Sequence, residues 1–210
     1  MDVKTAIDTG DADALRGLLR DDRSRADGMI QWDKCLTHPL HYVSDMLFTG
    51  VLQKGKELPL IDALIEAGAD LNFQKGRKDG KKSDTPLIGA ASLGAEDAGI
   101  RLLDAGAKPE LRGLFGETAL HWAALLGEDR LAARLIEGSD LNLKDEKYKS
   151  SPLGWAIHGW CNPPAGNSGR QREVVVLLVA ADAILERGLL ESDSVRANPG
   201  MLAALRTGKP

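Results

Sequence analysis

Three short segments of this chain are built alike and fall at a fixed step. The segments "SDTPLIGAASLG", "GETALHWAALLG" and "SSPLGWAIHGW" carry Pro86-Leu87, Ala119-Leu120 and Pro152-Leu153, each pair 33 residues after the one before. A step of that length repeats one supersecondary unit. A unit of that size cannot bury its apolar face alone, so a core forms only by stacking neighbours. The step therefore predicts one array with a continuous core, in place of the two domains that 210 residues would otherwise allow.

Each unit has an internal logic. Thr85, Thr118 and Ser151 stand just ahead of a small apolar segment, where a hydroxyl accepts a bond from a free N–H of the first helical turn. Pro86 and Pro152 follow at the first helical position, where the missing N–H does no harm. "LIGAASL" and "LHWAALL" then give about two helical turns, whose alanine pairs admit a close neighbour. Gly94 and Gly127 end them by taking the left-handed conformation. A second helix follows. "AEDAGIRLLDAGA" aligns Ile100, Leu102 and Leu103 on one side, and "EDRLAARLIEG" aligns Leu131, Leu135 and Ile136. These helices are expected to close at Gly68, Gly106, Gly138 and Asp182, before a polar extended stretch leads into the next unit.

"TALHWAALLG" with "LIEGSDLNLKD" resembles the ankyrin repeat, whose signature is T-P-L-H-x-A over a period of 33 residues. "HPLHYVS", "TPLIGAAS" and "SPLGWAIHG" are degenerate copies, and "ALIEAGADLN" and "RLLDAGAKPEL" extend the likeness over most of residues 32 to 186. The resemblance implies an all-α ankyrin-repeat solenoid of helix-turn-helix units joined by β-turn or hairpin loops, with capping helices at both ends. It divides one domain, 1–210, into an N-terminal cap (1–31), repeat 1 with an insertion (32–73), repeat 2 with a basic hairpin insertion (74–112), repeat 3 (113–145), repeat 4 with a loop insertion (146–186) and a C-terminal cap (187–210). The N-terminal cap is read as a partial unit over Ala6 to Asp22, and Asn198-Pro199 marks the start of the last helix.

The units are not equal. From motif leucine to closing residue the step is 19 residues in repeat 2 (Leu87 to Gly106) and 18 in repeat 3 (Leu120 to Gly138). It is 28 in repeat 1 (Leu40 to Gly68) and 29 in repeat 4 (Leu153 to Asp182). Repeat 4 therefore holds a loop, "CNPPAGNSGRQ", and repeat 1 a longer first helix with a loop.

Composition narrows the function classes. A formal charge of −4 gives no global attraction to nucleic acid or an anionic membrane. The acid-interrupted start lacks the apolar core of a signal peptide, and no apolar run is long enough to cross a bilayer. Two cysteines far apart make no disulfide framework and fit a reducing compartment. Three constellations could carry chemistry. Cys35, His38 and His41 are evenly spaced, but no fourth zinc ligand follows, and the resemblance gives His41 a hydrogen bond between units. His158 and Cys161 lie three residues apart without an orienting partner or an oxyanion site. Neither "GNSGRQ" nor "GRKDGKKSDT" has the strand-and-helix context of a phosphate loop. The expectation is no catalytic residue, no metal, no cofactor and no enzyme, in a cytoplasmic monomer that binds another protein and neither nucleic acid nor membrane.

Two surfaces could carry that binding. Lys75, Arg77, Lys78, Lys81 and Lys82 crowd one insertion, to be read as a solvated loop or as a contact for an acidic partner. No aromatic residue is interleaved for stacking on bases. In ankyrin proteins partners bind the concave side, made of hairpin tips and first helices. The resemblance places Leu93 there in repeat 2, Leu114, Phe115, Glu117, Leu125 and Leu126 in repeat 3, and Tyr148, His158 and Trp160 in repeat 4, with Trp122 and Trp155 bordering the groove. Large apolar groups at positions that the repeat leaves free mark a binding site if open, or core if the 161–171 loop or the insertion of repeat 1 covers them. The function expected is a non-catalytic protein-binding module; the alternative is a dedicated inhibitor, immunity-type or regulatory subunit of an enzyme.

Overall fold

Helices begin where the sequence offers an oxygen or a nitrogen to the first turn. Asp2 accepts from Thr5 N–H at 2.8 Å and starts α1 (Val3–Thr9); Asp11 accepts from Ala14 N–H at 2.9 Å and starts α2 (Ala12–Asp21). A short antiparallel hairpin, β1 (Ile30–Trp32) and β2 (Cys35–Thr37), pairs Ile30 with Thr37 and Trp32 with Cys35. Next come α3 (Pro39–Thr49), α4 (Glu57–Ala67), α5 (Pro86–Ser92) and α6 (Glu96–Asp104). His38 occupies the threonine position of its repeat, and its Nδ1 accepts from Leu40 N–H at 3.3 Å. Beyond these lie α7 (Ala119–Leu126), α8 (Asp129–Leu135), α9 (Pro152–Cys161), α10 (Gln171–Ala180), α11 (Asp193–Arg196) and α12 (Pro199–Thr207).

The computed structural model describes residues 1–76, 83–165, 167–186 and 188–207. They divide into two units, Met1–Lys108 and Pro109–Pro210. In the first, α1, α3 and α5 pack in succession, as do α2, α4 and α6, and each helix pairs with its sequence neighbour. The core between the two rows is aliphatic: Ile7, Leu15, Leu40, Leu60, Leu64, Leu87 and Leu102 are buried. In the second unit α7 packs on α9, α8 on α10, and α12 closes the row on α10. Leu120, Leu131, Leu135, Leu153, Val174, Leu178 and Leu205 fill its core. Asn198 accepts from Met201 N–H at 2.9 Å at the start of α12, as its Asn-Pro sequence predicts.

Two details correct the sequence reading. The N-terminal segment is a full helix pair, because two aspartate caps replace the missing threonine signature. The second helix of repeat 3 does not close on a left-handed glycine. Its step is one residue short, and α8 runs into a 3-10 turn over Ile136–Gly138 instead. Gly68, Gly106 and Asp182 do take positive φ, at 92°, 99° and 63°. Among the described residues no helix is long and apolar enough to cross a membrane.

Candidate functional site

The histidines of the repeat signature join one unit to the next hairpin. His121 Nδ1 accepts from Thr118 N–H at 3.1 Å, so its proton lies on Nε2, which donates to the Leu143 carbonyl at 3.1 Å. His41 Nε2 donates in the same way to the Asp84 carbonyl at 3.0 Å. Burial is the main reason that both are held neutral, with values lowered to about 4. His38 is buried, stacks on Phe73 with ring centres 4.7 Å apart, and donates from Nε2 to Asp27 at 2.9 Å. Cys35 is exposed on β2. Among the described residues no three histidine, cysteine or acidic side chains come together as metal ligands.

A concave feature lies in the second unit, on the side of α7 and α9. A cavity of about 590 Å³ is lined by Trp122, Leu125, Tyr148, Trp155, His158 and Glu186, among others. Its aromatic walls stand one repeat apart, since Trp155 follows Trp122 by the 33-residue step. The two indoles meet edge to face, 5.1 Å between ring centres at 82°, and Tyr148 meets Trp155 at 5.9 Å and 72°. Gly159 permits this approach: a Cβ there would lie 2.0 Å from the Leu125 carbonyl oxygen.

Two buried carboxylates hold the walls. Asp145 accepts from Lys147, Tyr148 and Ser150 N–H at 2.8, 2.6 and 3.1 Å, and from Trp155 Nε1 at 3.1 Å. Burial works against its charge, but these four donors outweigh burial and hold the carboxyl below its ordinary value. Glu117 accepts from Phe115 N–H at 2.8 Å and from Trp122 Nε1 at 3.4 Å. Both indole N–H groups thus point inward, and hydrocarbon and ring surface face the cavity.

The expected groove residues separate into groups. Leu125, Tyr148 and His158 come together at the cavity, with Tyr148 62% exposed. Phe115, 40% exposed, shares the Lys147 ammonium with Tyr148, at 5.0 and 4.8 Å from the two ring centres. Two expectations are corrected. Leu126 is 3% exposed and belongs to the core, where Ser168 N–H bonds its carbonyl at 2.8 Å. Glu117 is 1% exposed and faces inward to Phe115 N–H and Trp122 Nε1. Leu114 and Trp160 are half-buried and do not line the cavity, and Leu93 is half-buried in the first unit.

The repeat-4 loop caps the end of α7, and its first residues, Cys161 and Asn162, line one side of the cavity. Gln171 Nε2 donates to the Leu125 carbonyl at 2.9 Å, Ser168 Oγ bonds the Gly127 carbonyl, and Arg170 pairs with Asp129. In the basic insertion, Lys75 is exposed, and the base is closed by Ser83 N–H to the Lys75 carbonyl at 2.9 Å. Arg77, Lys78, Lys81 and Lys82 lie outside the described residues. Sequence reasoning did not single out Asp145 and Glu186. The first was legible as a turn-forming aspartate in "KDEKYKSS". The second falls after the last repeat signature, where no spacing rule reaches.

A family model described as ankyrin repeats, in three copies, matches residues 47–145. Those residues of the chain are ankyrin repeats. Ankyrin repeats are in general protein–protein interaction modules, and the family is typically non-catalytic. A search of curated proteins found no match.

Proposed function

We propose that the chain is a non-catalytic recognition module that binds a protein partner on the α7/α9 side of its second unit. One observation supports this most: a 590 Å³ cavity with aromatic walls, rimmed by the exposed Tyr148, on the side made of first helices and hairpin tips. Buried core aromatics need no such opening, and rigid tyrosine and tryptophan surfaces are the groups that most often dominate binding energy. The single array over 1–210 and the monomeric state belong to this reading. A dedicated inhibitor or regulatory subunit would use the same surface with one high-affinity target.

The test is Leu125→Asp combined with Tyr148→Ala, leaving the core Leu126 untouched. Both side chains reach solvent or the cavity, so the double variant keeps its helical circular dichroism and loses no more than about 2 kcal/mol of stability. Affinity purification from the native source then recovers a stoichiometric partner with the parent chain and none with the variant. A folded variant that retains the partner contradicts the reading.

A further inference from the structure

The geometry points to an arginine side chain of the partner as the occupant of the Trp122–Tyr148–Trp155 cavity, held by the ring faces and by the Glu186 carboxylate. The inference rests on the protein-binding reading above and names the chemistry of its anchor.

Three observations carry it. First, the walls suit a flat cation. Trp122, Trp155 and Tyr148 line the space, with Trp122 at 82° and Tyr148 at 72° to Trp155, so the rings border it in more than one orientation. Each indole N–H is bonded to a carboxylate, Glu117 or Asp145, which raises the electron density of the ring and strengthens its attraction for positive charge. Second, the charge is complementary. Glu186 lines the cavity; its Oε1 accepts from Ser151 N–H at 3.1 Å and lies 3.8 Å from the Nζ of the exposed Lys144, a long and weak pair. Among the described residues both contacts fall on Oε1, which leaves Oε2 of Glu186 for a charged donor. Third, the neighbouring aromatic rim already holds a cation of this chain, since the Lys147 ammonium sits over both Phe115 and Tyr148.

Among cationic side chains arginine fits best. Its guanidinium is planar, weakly hydrated and able to stack on an indole while donating in its plane to a carboxylate. A lysine ammonium must give up a tighter hydration shell to reach a largely apolar wall. An anionic group would meet Glu186, with the Glu117 and Asp145 carboxylates behind the rings. An aliphatic side chain would bring no donor to Oε2 of Glu186.

The experiment titrates acetyl-Ala-Arg-Ala-amide and acetyl-Ala-norleucine-Ala-amide into the ¹⁵N-labelled full chain and follows the four indole N–H resonances. The arginine peptide is expected to shift those of Trp122 and Trp155 saturably while Trp32 stays unchanged. The norleucine peptide is expected to bind roughly tenfold more weakly or worse, the factor that one charge-assisted bond supplies. Glu186→Gln, which keeps an acceptor for Ser151 N–H, is expected to reduce that preference and leave norleucine binding as it was. Equal affinity for the two peptides, an arginine preference unaffected by Glu186→Gln, or no saturable shift would each overturn the inference. Equal affinity would do so while leaving the apolar docking surface in place; retained partner capture by the Leu125/Tyr148 variant would remove the surface itself.

Discussion

A few side chains in this protein do what the backbone of a short repeat cannot do alone. His121 ties the start of α7 to the Leu143 carbonyl, and His41 ties α3 to Asp84. Both must stay neutral to accept on one ring nitrogen and donate from the other, or to remain buried at all. Their values fall from 6.5 to about 4, with burial the largest cause. Between these two pH values the unfolded chain takes up protons that the folded chain refuses. Stability is therefore full above about pH 6.5 and declines toward pH 4, by on the order of 3 kcal/mol for each histidine at the low end. Urea unfolding at about pH 7 and about pH 5 measures it, and an equal midpoint at both would contradict the neutral-histidine assignment. The role of His41 was legible because the signature places a histidine there. That of Asp145 was not singled out, because its four partners converge only after the hairpin has turned.

At the scale of elements, helix starts and stops follow the sequence closely, because caps are local. Thr85 accepts from Ile88 N–H at 3.2 Å and Ser151 from Gly154 N–H at 3.3 Å, where the hydroxyl-proline pairs predict them. Asp182 stands in for glycine at φ 63°, the conformation that a closing position requires. What the sequence does not show is how near two helices come. Gly159 falls at the repeat position of Leu126, so the leucine is enclosed while the glycine admits the Leu125 carbonyl. Pattern alone cannot tell which of two adjacent leucines lines a cavity and which enters the core. Gly159→Ala should push α9 from α7 and lower stability by about 1–3 kcal/mol, the usual cost of overpacking. Chemical denaturation checks it; an unchanged midpoint would mean that α7 and α9 do not meet at this point.

At the scale of the molecule, the 33-residue step and the helix pairs agree, and the family match over 47–145 covers the middle of the chain. Fold class was legible because repetition multiplies a weak local signal. The site was legible only in part. Register brought Tyr148, Leu125 and His158 to one cavity, whereas Glu186 lies beyond the last signature and Leu126, expected on the groove, is buried in the core. The central claim is that the α7/α9 side of the second unit is where a partner docks. The most direct measurement places a photo-crosslinking phenylalanine analogue at Tyr148, or separately at the exposed Arg134 of α8, and irradiates each chain in an extract of its native source. The account predicts one discrete adduct with a protein from position 148 and none from position 134; an adduct from 134 with none from 148 would contradict it.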